Sequence, residues 1–287
     1  MPESRAALDS LVDLLDLETI ERDIFRGSSP DENRQRVFGG QVAGQALVAA
    51  ARTIEDEDRR AHSLHAYFLR PGDPTVPILY TVDRIRDGKS FSTRRVVALQ
   101  HGRAIFNLQV SFHIYEEGLD YQIEMPRDVP PPESLPDIKT LMLPYKDQLG
   151  DWFERPRPID LRYVDTNPFA KRDKPRQGQR VWIRANGSLQ ADPLLHQCIV
   201  TYASDFTLLD TALLPHGLGW TDGTVQMASL DHAMWFHRDF RADQWLLYDQ
   251  SSFSTSHARG LAGGAIFTQE GELVVTVVQE GLLRGGL

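Results

Sequence analysis

DPLLHQCIVTYASDFTLL, residues 192–209, is the stretch around which the rest of the chain can be arranged. Asp192 has the short acceptor side chain that caps a helix, and Pro193 suits the first helical position, where no backbone N–H is needed. Leu195, Cys198, Ile199, Tyr202, Phe206 and Leu209 then recur at helical spacing and form one apolar stripe. Asp205 falls inside that stripe, about 20° from Cys198 and about 40° from Leu209 at roughly 100° per residue. A carboxylate there is expected to be buried, and burial without a partner costs several kcal/mol. Two readings follow. Asp205 ties down a backbone turn or pairs with a structural arginine, or it does chemistry, since displaced carboxylates cluster at functional sites.

Upstream, residues 7–20 read as an amphipathic helix through Leu8, Leu11, Val12, Leu14, Leu15 and Leu17, and IERDIFRGSSP as a short strand ending in a turn. VFGGQVAGQALVAAARTI, Val37–Ile54, reads as a helix opened by Gly39 and Gly40 and unusually rich in alanine and glycine. Small residues of low packing area imply tight enclosure, and glycines at a helix start leave N–H groups free for an anion or a polarised carbonyl. There is no GxxxxGK[ST] and no Rossmann spacing, so a phosphate loop is disfavoured. PILYTVDRIRD, SFSTRRVVALQ and RAIFNLQVSFHIY are strand-like and separated by turn signals.

Residues 116–180 change character: they are proline-rich and acidic and read as a crossing linker. A second unit follows, from strand-like RVWIRANGSL through the Asp205 helix to GELVVTVVQEG. It repeats the first. His65-Ala66 recurs as His232-Ala233, SFST at Ser90 recurs at Ser252, and Gln100-His101-Gly102 recurs as Gln269-Glu270-Gly271. The chain therefore divides into an N-terminal repeat (1–115), a linker (116–180) and a C-terminal repeat (181–287), each repeat one helix plus a curved antiparallel sheet. His65 and His232, at matching repeat positions, read as structural.

Composition narrows the function classes. A 41% hydrophobic content across 287 residues excludes wholesale disorder. No apolar run reaches the ~18 residues of a membrane span. A net charge of −9 with no basic run argues against nucleic acid as a partner. The start, MPESRAALDS, shows no signal-peptide pattern, so a cytoplasmic location is expected. The single cysteine, Cys198, forbids an internal disulfide and reads as a small core hydrophobe. His237 and His257 lie near the same segments without HxxxH or HExxH spacing, so no metal is expected. There is no GxSxG elbow.

VFGGQVAGQAL, HSLHAYFLRPGD, GKSFSTRRV, ASLDHAMWFHR and VVQEGLLR together resemble the acyl-CoA thioesterase II family, and the opening LLDLETIERDIFRG fits as well. The resemblance covers nearly the whole chain apart from parts of the linker. It implies an α+β double hotdog fold and hydrolysis of fatty acyl-CoA to free fatty acid and CoA, with no cofactor. It also implies a catalytic trio of Asp, Thr or Ser, and Gln in the second repeat. Matched motif by motif, these are Asp205 of YASD, Ser229 ahead of DHAMWFH, and Gln279 of VVQEG. Ser229 stands where the family often has threonine, so the hydroxyl is kept and the methyl that restrains its rotamer is not.

A thioester is already an activated acyl group, so an oriented, partly deprotonated water can attack it. Asp205 would accept the water's proton, while Ser229 and the Gln279 amide hold the geometry. The helix start at Gly39–Gln41 is the expected source of oxyanion donors. Arg70, Arg94, Arg95, Arg238 and Arg259 are candidates for the CoA phosphates and equally for pairing with the chain's own acids. A non-catalytic acyl-CoA-binding or regulatory hotdog protein is the alternative; an enoyl hydratase would need an acid–histidine dyad that does not stand out. Long sheet edges lead to the expectation of a homodimer or homotetramer.

Overall fold

The computed structural model describes residues 2–30, 35–56, 58–165, 167–170, 174–219 and 222–285, residues 2–4 by their backbone alone. Helix α1 (Pro2–Leu15) buries Leu8, Leu11 and Leu15, so it begins and ends earlier than the leucine pattern suggests, and Leu17 is buried beyond its end. The expected single strand after it is a hairpin, β1 (Glu18–Glu21) and β2 (Ile24–Gly27), turned at Asp23 with φ of 60°. Helix α2 (Gly39–Ala51) is buried on all sides from Gly40 to Ala50, and four strands follow: β3 (Arg60–Phe68), β4 (Ile78–Asp87), β5 (Phe91–Gln100) and β6 (Arg103–His113).

The proline-rich stretch holds short helices α3 (Ile138–Met142), α4 (Lys146–Leu149) and α5 (Asp151–Glu154), and also a strand, β7 (Ile159–Tyr163), that pairs with β8 (Gly178–Ala185). Helix α6 (Pro193–Ser204) starts as its sequence dictates, with the Asp192 carboxylate accepting the Leu194 N–H at 2.9 Å. A turn leads to α7 (Leu208–Thr211), then to β9 (Val225–Ser229), β10 (Asp231–Phe236), β11 (Leu246–Ser256), β12 (Arg259–Thr268) and β13 (Leu273–Gly285). Among the described residues no helix is long and apolar enough to cross a membrane.

All strands join one antiparallel sheet in the order β1-β2-β4-β5-β6-β3-β10-β13-β12-β11-β8-β7, with β9 attached to β13. The order read outward from the β3–β10 seam is the same on both sides. One half-sheet wraps α2 and the other wraps α6, which is the double hotdog.

The register corrects two of the three repeat matches. Both halves carry a bulge between equivalent strands, at Ala98–Leu99 and at Ile266–Phe267, which sets the repeat offset at 168 residues in β5 and β12, 98 to 266, and at 169 in β6 and β13, 106 to 275. Phe106 opposite Ala98 then matches Val275 opposite Ile266, and Val110 matches Gln279. Val110 pairs with Leu64, while Gln279 falls opposite His232, one step beyond the Ala233–Val278 pair. Leu64, not His65, is the equivalent of His232. A slip of one residue turns a side chain to the other face of a sheet. His65 is exposed, edge-on to Trp235 at 5.1 Å, whereas His232 is buried. SFST opens β5 but lies near the end of β11, which is not its equivalent strand. The glutamine–glycine pair does mark the same hairpin turn in both halves.

Helices α2 and α6 run antiparallel at close range, because Gly40 faces Tyr202 and Gly44 faces Cys198. A methyl on Gly40 would stand 2.4 Å from the Tyr202 carbonyl oxygen, against 3.4 Å between one on Gly44 and the Cys198 carbonyl oxygen. The nearest atom to a Gly44 methyl is the movable Leu15 Cδ2 at 3.1 Å. Gly40→Ala should therefore lower stability by about 1–3 kcal/mol, the scale of overpacking. Gly44→Ala should be close to neutral, since the helix-propensity gain of up to ~1 kcal/mol offsets mild crowding. Equal melting temperatures for the two variants would contradict this packing.

Candidate active site

Antiparallel packing brings the first turn of α2 to the last turn of α6, and Asp205 lies at that junction. Helix α6 stops at Ser204, and Asp205 is its C-cap with φ −84° and ψ 0°. The apolar periodicity therefore does not continue as one helix: Phe206 and Leu209 belong to the turn and to α7. The turn is pinned from beneath by a buried amide–hydroxyl network. Gln250 Nε2 donates to Thr207 Oγ1 at 2.5 Å, Gln179 Nε2 donates to the Thr207 carbonyl at 3.2 Å, and Thr211 donates to Gln250 Oε1 at 2.8 Å.

Asp205, Ser229 and Gln279 come from three different elements and meet. Gln279 Nε2 donates to Asp205 Oδ1 at 2.6 Å and to Ser229 Oγ at 2.8 Å, and Ser229 Oγ donates to the same Asp205 oxygen at 3.2 Å. Gln279 is fully buried in β13, opposite the small Ala262. Ser229 ends β9 opposite Gly281, and the corner into β10 is held by Asp231 Oδ1, which accepts the Glu280 N–H at 2.7 Å.

From the other side comes the first turn of α2. Its N-cap, Phe38, supplies no side-chain cap, and Val42 N is the first amide to bond back, to the Phe38 carbonyl at 3.3 Å. Three N–H groups thus lack an acceptor in their own helix. One of them, Gly40 N–H, faces the Asp205 carboxylate and favours its charged form. Gly39 is required by contact: a methyl there would stand 2.6 Å from Asp205 Oδ2 and 2.8 Å from Phe68 Cε1. Phe38, Tyr202 and Phe206 form an aromatic cluster beside the junction, with ring centroids 4.9–5.2 Å apart.

Burial raises the Asp205 pKa from 3.8 to about 6, against the opposing pull of Gln279, Ser229, the Gly40 N–H and the charge of Arg36. A carboxylate that is largely ionised at neutral pH yet more basic than usual suits a general base. Arg36, which also donates to the Met227 carbonyl at 3.1 Å, is a neighbour that no sequence signal marked. Burial pushes the Cys198 thiol well up, so it is no nucleophile.

The five arginines considered for phosphate contacts all have partners within the chain. Arg94 is buried and bonds Thr53, Asp87 and the Arg86 carbonyl, and Arg70 donates to the Ala104 carbonyl. Arg95 pairs with Asp83, Arg238 with Asp120, and Arg259 with Glu280. His237 bonds Thr276, and among the described residues no three His, Cys, Asp or Glu side chains are grouped to hold a metal ion.

Comparison with known proteins agrees along the whole chain. The model described as acyl-CoA thioesterase N-terminal domain matches residues 29–113, and that described as acyl-CoA thioesterase matches residues 153–282. Acyl-coenzyme A thioesterase 8 of Homo sapiens is 43% identical over 94% of this chain and 88% of its own length. Acyl-CoA thioesterase 2 of Haemophilus influenzae is 41% identical, over 96% of this chain and 98% of its own. The crystal structure of acyl-CoA thioesterase II TesB2 from Mycobacterium marinum is 46% identical and superposes with a TM-score of 0.80, covering 96% of this chain and 98% of that one. A hotdog-fold protein from Alicyclobacillus acidocaldarius, only 17% identical, shares the fold at a TM-score of 0.77 over 97% of this chain and 99% of that one. By sequence along both repeats and by fold, this chain belongs to the acyl-CoA thioesterase family, as a thioester hydrolase acting on acyl-CoA.

Proposed function

We propose that the chain hydrolyses medium- to long-chain fatty acyl-CoA by direct attack of a water activated by Asp205, with Ser229 and Gln279 fixing the geometry. The observation that carries this is the convergence of the Ser229 hydroxyl and the Gln279 amide on one oxygen of a carboxylate whose pKa burial has raised. Held in this way, Asp205 takes a proton from water as the water oxygen bonds to the thioester carbonyl carbon. The tetrahedral oxyanion then collapses, the C–S bond breaks, and the proton passes to the departing CoA sulfur. Donors for the oxyanion come from the first turn of α2, where Gly40 N–H faces Asp205 and the amides of Gly39 and Gln41 stand beside it. The aromatic cluster of Phe38, Tyr202 and Phe206 supports an apolar acyl chain next to the carboxylate.

Thiol release from a C2–C18 acyl-CoA panel tests the substrate class. Each buried CH₂ adds about 0.8 kcal/mol of binding, so kcat/KM should rise from C4 toward C10 or beyond and then level. Fastest turnover on acetyl-CoA would sink the proposal, and binding without thiol release would return the non-catalytic reading. A second copy of the chain is the expected partner, with Tyr67 and Phe253 exposed at 58% and 60%.

Asp205→Asn keeps the shape and removes the base, so turnover should fall by at least ~10²-fold while acyl-CoA still binds. In the native enzyme kcat should rise with pH through about 6, the value of Asp205 in the folded chain. The sign for stability is the opposite. With the folded pKa above the unfolded one, the folded state binds the proton more tightly between about pH 4 and 6. Stability contributed by this group is present at low pH and lost as pH rises through that window. The Asn variant, lacking the buried charge, should melt no lower than the native chain at neutral pH. A variant that melts several degrees lower yet turns over normally would end the catalytic assignment.

Ser229→Thr should keep or improve kcat, since the hydroxyl stays and its χ1 stiffens. Ser229→Ala should lose roughly 10–10³-fold, the scale of one positioned donor. Native kcat in the alanine variant would make Ser229 a packing residue.

A further inference from the structure

We infer that His232 is a positioning residue, one that fixes which way round the Gln279 amide sits. The inference rests on the proposed roles of Asp205, Ser229 and Gln279. A primary amide has a donor end and an acceptor end of nearly the same shape. Gln279 serves Asp205 only when Nε2, not Oε1, faces the carboxylate; the reversed amide would set oxygen against oxygen. Something must hold the other end.

Gln279 Oε1 and His232 Nδ1 are both buried polar atoms without a hydrogen-bond partner among the described residues. They belong to the residues one step beyond the Ala233–Val278 pair of β10 and β13, and both side chains are buried. His232 is 1% exposed and Gln279 0% exposed, so leaving both atoms unpaired would cost desolvation twice over. On its other side His232 Nε2 lies 2.8 Å from Ser204 Oγ, in the last turn of α6 and next to Asp205. One proton arrangement makes the two orphan atoms complementary: the Ser204 hydroxyl donates to Nε2, Nδ1 carries the proton toward the acceptor Gln279 Oε1, and Gln279 Nε2 donates to Asp205 and Ser229. If Ser204 donated instead to the Thr201 carbonyl, 2.9 Å away, Nδ1 would be left as a lone pair facing an amide oxygen. Burial lowers the His232 pKa to about 4, so the ring is neutral and has one N–H to direct, while Gln279 acts on it in the opposite sense, as an acceptor facing that N–H does. The fold does not demand this pair, because the equivalent pair in the first repeat is Leu64 with Val110.

The test combines His232→Leu, which takes the residue of the first repeat, with His232→Asn, whose Nδ2 replaces the Nδ1 donor, on the native and Gln279→Ala backgrounds. His232→Leu should lower kcat roughly 10–10²-fold, less than the loss of a donor that itself touches the reacting atoms, with KM little changed and the melting temperature held. His232→Asn should restore most of kcat. On the Gln279→Ala background His232→Leu should have no further effect, because nothing remains to orient. Native kcat in His232→Leu, an equal loss in the leucine and asparagine variants, or a full additional loss on the Gln279→Ala background would each overturn the inference. Gln279→Ala alone separates the two levels. If it is impaired while His232→Leu is not, only the positioning role falls; if it turns over normally, the trio itself falls. Should neither His232 variant fold, Ser204→Ala reads the same chain from its far end, and an unchanged kcat there would likewise refute it.

Discussion

The contact between the first turn of α2 and the last turn of α6 is the constraint on which the site depends. Helix pairs normally pack with their axes 8–10 Å apart according to the side chains between them. Here Gly40 and Gly44 remove those side chains, and the backbone of α2 comes against the carbonyls of Tyr202 and Cys198. The close approach sets the free N–H groups of one helix start opposite the carboxylate that ends the other. Asp205 thus sits at the electronegative end of its own helix and faces the electropositive end of its neighbour. Burial raises its pKa, and the Gly40 N–H, Gln279 and Ser229 keep that rise moderate. A base strong enough to take a proton from water, yet ionised at neutral pH, needs both influences.

Much of the fold was legible because its signals are local. Asp192-Pro193 marked the start of α6, and alternating strands with turn residues marked β4, β5 and β6. The end of α6 was not legible, since Ser204-Asp205-Phe206-Thr207 contains neither glycine nor proline and its apolar spacing runs through the stop. The helix ends there because Thr207 is bound to Gln179 and Gln250 on distant strands, a tertiary cause. The strand β7 was hidden for a similar reason: it lies in a proline-rich stretch and exists by pairing with β8.

The candidate site divides the same way. Residue spacing singled out Asp205 but could not say what met it, since Ser229 lies 24 residues further on and Gln279 another 50. Only the family resemblance brought the three together in advance. The repeat matches misled at one point that mattered. Aligning His65 with His232 made the buried histidine look like a duplicated structural feature, whereas the ladder register makes Leu64 its equivalent in the first repeat. Identity of dipeptides is weak evidence in strands, where a one-residue error exchanges inside for outside.

With register corrected, the difference between the halves shows why the proposed site has no counterpart among the described residues of the first repeat. At the C-terminal end of α2 the buried Arg94 donates to the Thr53 side chain and carbonyl, so a cation meets the negative end of that helix. That end is satisfied and filled. At the equivalent strand position the second half has Ala262, which leaves room, and opposite it Gln279 replaces Val110. The second helix therefore ends in an acid where the first ends against an arginine. What balances that acid is a set of neutral donors instead of a countercharge. An arginine in that place would hold Asp205 well below its present pKa and lock it in an ion pair. Neutral donors orient the carboxylate without removing its basicity, and that distinction separates the structural anchor in one repeat from the base proposed in the other.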